Sequence, residues 1–347
     1  MLARKSNIEI LRILAMLFVI GLHFWGFNEA GVYFSENNSI NENIYILSES
    51  FMICGVNLFV LISGWFLTAT TKIKVRKIIN LFLEVAIWGA IGFVLSIIFF
   101  DKVFNIKELI KTMFPVITGG RWFVKAYIIY IVFLPFINLA VNRMNKKSHK
   151  LLLIIMLFFF SIWPSFIPIP PVLDDYGYGF THFILLYILI SYIKLHVENY
   201  PSKLMCLSGY ILSSLIVAKS YKLGIGMAWG YNYFFVILAA IFLFLLFIQF
   251  DFYNKWVNLL ASCAFGVFLI HTDGFFSRLI YGGVFNAVNA LSYNIIHLVL
   301  VLFICLPVFY LFATVLELIR KKICELTIDK VMNHIPFINH VFDINAD

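Results

Sequence analysis

Charge is scarce in this chain. Only 13% of its 347 residues are Asp, Glu, Lys or Arg, against roughly 25% in soluble domains. That shortage excludes an ordinary soluble globule, which has no means of burying a 62% hydrophobic composition that includes 39 phenylalanines. Cysteine is also sparse. Cys54, Cys206, Cys263, Cys305 and Cys324 are odd in number, scattered and without a CxxC pair, so they read as small packing residues and exclude a disulfide framework. No HExxH, Walker or glycine-rich dinucleotide motif occurs, and no two histidines have metal-ligand spacing, so no metal is expected. The first apolar run is not followed by a small-residue cleavage site, which argues against a removed leader. Internal repeats, low-complexity tracts and a soluble domain are all missing.

What is present is hydrophobic run after hydrophobic run, with a mean hydropathy of +0.95. Stretches of about 17–25 apolar residues can cross a bilayer as helices. Ten are read: 8–27, 44–67, 79–100, 122–141, 151–168, 179–193, 204–217, 231–249, 259–275 and 293–318. The expected fold is therefore an all-α, polytopic membrane protein with the lipid bilayer as its surroundings. The net charge of +8 is explained without nucleic acid, because cytoplasmic loops collect Lys and Arg. With both termini inside, 17 basic residues fall on inner segments and 7 on outer loops, leaving Arg12 and Lys125 within spans. The outer loop 28–43 agrees, carrying Glu29, Glu36 and Glu42 and no basic residue.

Ionisable groups inside spans are expensive and mark function by default. The first span holds Arg12 and His23. A separation of eleven residues is about 1100° of helix, about 20° beyond whole turns, so the two share one face about 16 Å apart. A cation and a proton-transfer group thus lie on one stripe. The alternative is an arginine reaching the interface and a histidine bonded to a neighbouring helix. Ser6 to Glu9 has the form of a capping box, and Glu9 is one turn from Arg12. Glu49 lies at a depth comparable with His23 and is the candidate to orient its ring; a water-facing interfacial glutamate is the competing reading. Ser63 reads as a packing residue beside Gly64, too far along its span to serve as nucleophile. Glu84 and His297 have no assigned role, and His149, His196, His334 and His340 read as solvated.

The Arg, ten residues, His arrangement resembles the acyltransferase family 3 of integral membrane proteins. Three further stretches match in order: Gly55 to Leu67, ending Ser63-Gly64-Trp65-Phe66-Leu67; Trp122-Phe123-Val124-Lys125-Ala126-Tyr127; and Phe265-Gly266-Val267-Phe268-Leu269-Ile270-His271. The resemblance runs from residue 8 to about 318 and implies a membrane acyltransferase domain over 1–318, with 319–347 a short cytoplasmic tail. Unlike some members, the chain carries no hydrolase-like C-terminal domain. The resemblance implies transfer of an acyl group, most simply acetyl, from cytoplasmic acyl-coenzyme A to a hydroxyl of a cell-surface or lipid-linked glycan, in a bacterial cell membrane and without a tightly bound cofactor. Loops rich in Lys, Asn and Ile fit an AT-rich bacterial genome.

On that reading His23 is the catalytic base, with Glu49 beside it, or else the site of a transient acyl-histidine. Arg12, Lys72, Lys74, Arg76 and Lys77 would hold the donor's phosphates, although the positive-inside rule alone accounts for the loop cluster. Trp122, Lys125 and His271 would line the acceptor side; interface anchoring is the competing reading for Arg121, Lys125 and His271. An exporter of a surface polysaccharide or its precursor is the alternative function, and the spacing of Arg12 and His23 and the lack of repeats favour the enzyme.

Overall fold

The computed structural model describes residues 5–26, 40–118, 120–167 and 176–344. Helices dominate, as the apolar runs require, because a backbone in hydrocarbon must satisfy its own hydrogen bonds. In chain order they are α1 (Asn7–Gly26), α2 (Ile40–Met52), α3 (Gly55–Leu67), α4 (Val75–Phe100), α5 (Ile106–Met113), α6 (Trp122–Arg143), α7 (Lys146–Phe166), α8 (Phe180–His196), α9 (Lys203–Lys222), α10 (Phe234–Ile248), α11 (Lys255–Ser262), α12 (Ala264–His271) and α13 (Ile295–Leu326). Among the described residues, seven helical stretches are long and apolar enough to cross a membrane, with α2 and α3 counted together; α8 and α10 are shorter apolar helices.

Eight of the ten sequence-derived spans each coincide with one helix, with shifted ends. One exception is 259–275, which is split at Cys263 into α11 and α12 rather than forming one helix. The second span, read as unbroken over 44–67, is interrupted at Ile53–Cys54 and begins at Ile40. Most of the acidic loop 28–43 lies outside the described residues.

Two long helices contain a π-helical turn, each with the same cause. The turn at Phe158–Ile162 precedes Pro164 in α7, and that at Val301–Cys305 precedes Pro307 in α13. A proline ring collides with the carbonyl four residues back and lacks a donor, and a wider turn relieves both.

α1 is the axis of the bundle. It packs on α2, α3 and α10 to α13, and its buried face runs from Ile8 through Leu11, Ala15 and Val19 to Trp25. Its start is fixed by distant residues. The Ser6 hydroxyl donates to Asn258 Oδ1 at 2.9 Å and accepts from the Asn254 amide at 2.7 Å. The expected local capping box is thus replaced by a tertiary one, and Glu9 turns to Arg12. Gly64 lets α3 approach α8 closely: a Cβ there would meet Ile190 Cγ2 at 2.6 Å.

The segment after residue 318 is not a free tail. α13 continues to Leu326, and strand β2 (Val341–Asp343) pairs antiparallel with β1 (Lys72–Lys74). Two expected surface histidines are also relocated. His149 is buried, with Nε2 donating to the Ile188 carbonyl at 3.1 Å and Nδ1 3.2 Å from His196 Nε2. The α7–α8 contact encloses what the sequence reads as a loop position.

Candidate active site

The geometry of α1 holds His23. Its Nδ1 lies 2.8 Å from the Val19 carbonyl one turn back. A carbonyl only accepts, so Nδ1 carries the hydrogen and Nε2 keeps its lone pair. The ring is solvent-accessible and lines a cavity of about 1290 Å³. Arg12, His23 and Gly26 all line this cavity, so it follows α1 for about 20 Å.

Arg12 and Lys77 contribute to the cavity wall away from His23. Arg12 Nη1 donates to Glu9 Oε2 at 2.8 Å, and its guanidinium lies 5.8 Å from the Phe66 ring centre. Glu9 is fully buried, so this cation is matched by a carboxylate that has no access to water. The rest of the basic loop is divided. Lys72 faces Asp343 of β2 at 3.7 Å, and Arg76 reaches Asp329 at 3.1 Å together with Asn333 and Asn339. Lys74, Arg76 and Lys77 line a second, smaller pocket beside Glu84. Of the four loop cations, only Lys77 reaches the main cavity.

Glu49 lines the main cavity with His23, as its depth implies, and Oε2 has no hydrogen-bond partner among the described residues. It is not what fixes the ring at Nδ1; the backbone of α1 does that. His271 differs from its expected place. It is fully buried behind His23, with ring centres 5.1 Å apart edge-to-face, and it does not line the cavity. The reason is the short helix α12, which tucks its end between α1 and α13. His271 repeats the bond of His23, with Nδ1 2.8 Å from the Val267 carbonyl. Its Nε2 has no partner among the described residues.

At the His23 end stand Arg121 and Trp122. Arg121 takes a left-handed backbone with φ of 45°, unusual for a residue with a Cβ. Its Nη2 bonds Asp273 Oδ2 at 2.8 Å, a pair 152 residues apart in sequence. Asp273 in turn caps the turn after α12 through Phe275 N at 3.0 Å. Lys125, expected beside Arg121, is exposed and takes no part in the cavity wall.

Several cavity residues were not singled out by sequence. Ser63 does line the cavity and shares a 3.1 Å hydrogen bond with Tyr127, which adds to its packing role. Tyr178, Trp229 and Tyr231 also line it. They are supported by His182, whose Nε2 donates to Asn57 Oδ1 at 2.9 Å while Asn57 Nδ2 donates to the Tyr231 carbonyl at 2.8 Å. No spacing signal marks His182, because its partner lies 125 residues away. Glu84, left without a role, belongs to a structural network instead. Arg320 lies 3.7 Å from Glu84 and bonds both oxygens of Glu317, which also accepts from Trp88 Nε1 at 2.9 Å.

Fold and site together define a multi-pass helical membrane protein with an imidazole facing a long internal cavity. The family is shown by the match of residues 5–316 to the acyltransferase 3 family model, an acyltransferase domain, and the chain belongs to that family. It is accordingly an acyltransferase. No curated protein and no solved structure matches it.

Proposed function

We propose that this acyltransferase moves an acyl group, most simply acetyl, from acyl-coenzyme A to a hydroxyl of a surface or lipid-linked glycan, at the cytoplasmic membrane of a bacterium. The observation that carries the mechanism is the His23 ring. Its Nδ1 is committed to the Val19 carbonyl, which leaves Nε2 with the lone pair, and the residue lines the cavity.

The chemistry follows from that tautomer. Nε2 takes the proton of the acceptor hydroxyl, and the oxygen attacks the thioester carbonyl carbon. The carbon–sulfur bond breaks, and the departing thiolate takes the proton from the imidazolium, restoring His23. The Val19 carbonyl stabilises the imidazolium through the same Nδ1–H bond. Arg12 and Lys77 supply the cationic wall for the donor's phosphates on the cytoplasmic side, with Lys74 close by in the adjoining pocket. The acceptor enters from the Trp122 side, and Glu49 receives a hydrogen bond from it.

His23→Gln keeps size and polarity but removes the usable base. Acyl transfer from radiolabelled acetyl-coenzyme A to membrane glycan is expected to fall by about 10²–10⁴ with normal membrane insertion. Retention of full transfer by a correctly inserted variant would falsify the assignment.

A further inference from the structure

The wall of the cavity beyond His23 is aromatic in a particular way. Trp122 and Tyr231 are nearly parallel, with ring centres 5.4 Å apart and planes 29° apart. Tyr178 stands against both, at 4.5 Å from Trp122 and 4.9 Å from Tyr231, tilted by about 60° to each. The three rings form a corner, and all three line the cavity. Tyr178 is 41% exposed, so part of its surface remains accessible.

The corner is held by strain and by buried hydrogen bonds. Gly177 has φ of 86°, and a Cβ there would meet Asn232 N at 2.7 Å and Tyr231 Cβ at 2.8 Å. The Tyr231 amide donates to the Tyr176 carbonyl at 2.9 Å, locking the two segments together. Beside the corner lies Arg121, whose Nη1 is buried with no partner among the described residues. Asp273 already balances its charge at 2.8 Å. That arrangement offers apolar ring faces beside a guanidinium whose charge is already balanced.

We infer that this corner is the acceptor subsite and that it takes an electrically neutral pyranose, its C–H face on the rings of Trp122 and Tyr178. Aromatic faces carry negative quadrupole density and attract polarised C–H edges. A uronic acid or sugar phosphate would bring an anion to a guanidinium that Asp273 has neutralised, and the other cavity cations, Arg12 and Lys77, line the wall at the opposite end. The inference rests on the acyltransferase reading above and names its acceptor class.

The test uses the full-length protein in lipid nanodiscs, without donor. Binding of a neutral N-acetylglucosamine trimer and of a galacturonic acid trimer is followed by quenching of tryptophan fluorescence. The neutral trimer is expected to bind at least about tenfold more tightly, and Tyr178→Ala to weaken it about tenfold, roughly the worth of one aromatic contact. Tyr178→Phe keeps the face and is expected to retain the affinity. Tighter binding of the charged trimer, no binding of the neutral one, or an unaltered affinity in Tyr178→Ala overturns the inference. The wild-type comparison of the two trimers needs no variant to fold. Failure of the wild type to consume acyl-coenzyme A with any acceptor would instead overturn the reading beneath, while the order of sugar affinities still decides this one.

Discussion

Arg12 is the residue whose two roles are hardest to separate, because its partner is so well hidden. Glu9 has no exposed surface and lies 2.8 Å from the guanidinium. Removing the cation alone breaks a buried ion pair, and breaking such pairs costs about 3–5 kcal/mol. Arg12→Ala is therefore expected to lower the yield of folded protein, an effect unrelated to the donor. Adding Glu9→Gln removes the buried negative charge and is expected to restore the yield, measured as monodisperse protein after detergent extraction. If Arg12 holds a donor phosphate, the double variant still shows a raised KM for acyl-coenzyme A. A normal KM in the well-folded double variant would leave Arg12 a purely structural role. The sequence did make the Arg12–His23 stripe and the Glu9–Arg12 turn legible, since both follow from helical period alone. It could not reveal that Val19 orients His23, because any i−4 carbonyl is available to any helical side chain. Nor could it reveal the Arg121–Asp273 pair, which depends on two helices meeting.

At the scale of elements, apolar runs announce helices but not their interruptions. The π turns before Pro164 and Pro307 were foreseeable from proline geometry, whereas the breaks at Cys54 and Cys263 have no proline to announce them. The contact between α4 and the turn after α12 is equally invisible in sequence and is tight. A Cβ on Gly92 would lie 1.9 Å from Asp273 Oδ1, the oxygen that accepts from Phe275 N. Gly92→Ala must push the carboxylate aside, and overpacking of this kind costs roughly 1–3 kcal/mol. The displaced Asp273 would release Arg121 from its strained conformation. Expected are a lower melting temperature and a raised KM for the acceptor, with the donor KM less affected. Equal KM values for wild type and variant would show that Arg121 does not depend on this contact.

For the molecule as a whole, orientation is the expectation on which the cytoplasmic donor depends. Lys107 at the start of α5 and Lys147 at the start of α7 are both exposed and lie in loops expected on opposite sides. In a background lacking the five native cysteines, Lys107→Cys should react with a membrane-impermeant maleimide in intact cells. Lys147→Cys should react only after lysis. The reverse pattern would invert the protein and deny the basic loop a cytoplasmic donor. The replacements should be tolerated, since all five cysteines are free thiols and none lines the cavity. The central position of α1 has a consequence for synthesis. α1, which carries Glu9, Arg12 and His23, leaves the ribosome long before the residues that seal it at Ser6, Asn254 and Asn258. At about 5–20 residues per second, those partners emerge roughly 12–50 s later. Throughout that interval α1 must keep its polar stripe out of lipid by some other means. Cells short of membrane-insertion chaperones should therefore lose this protein before they lose one whose early helices are wholly apolar.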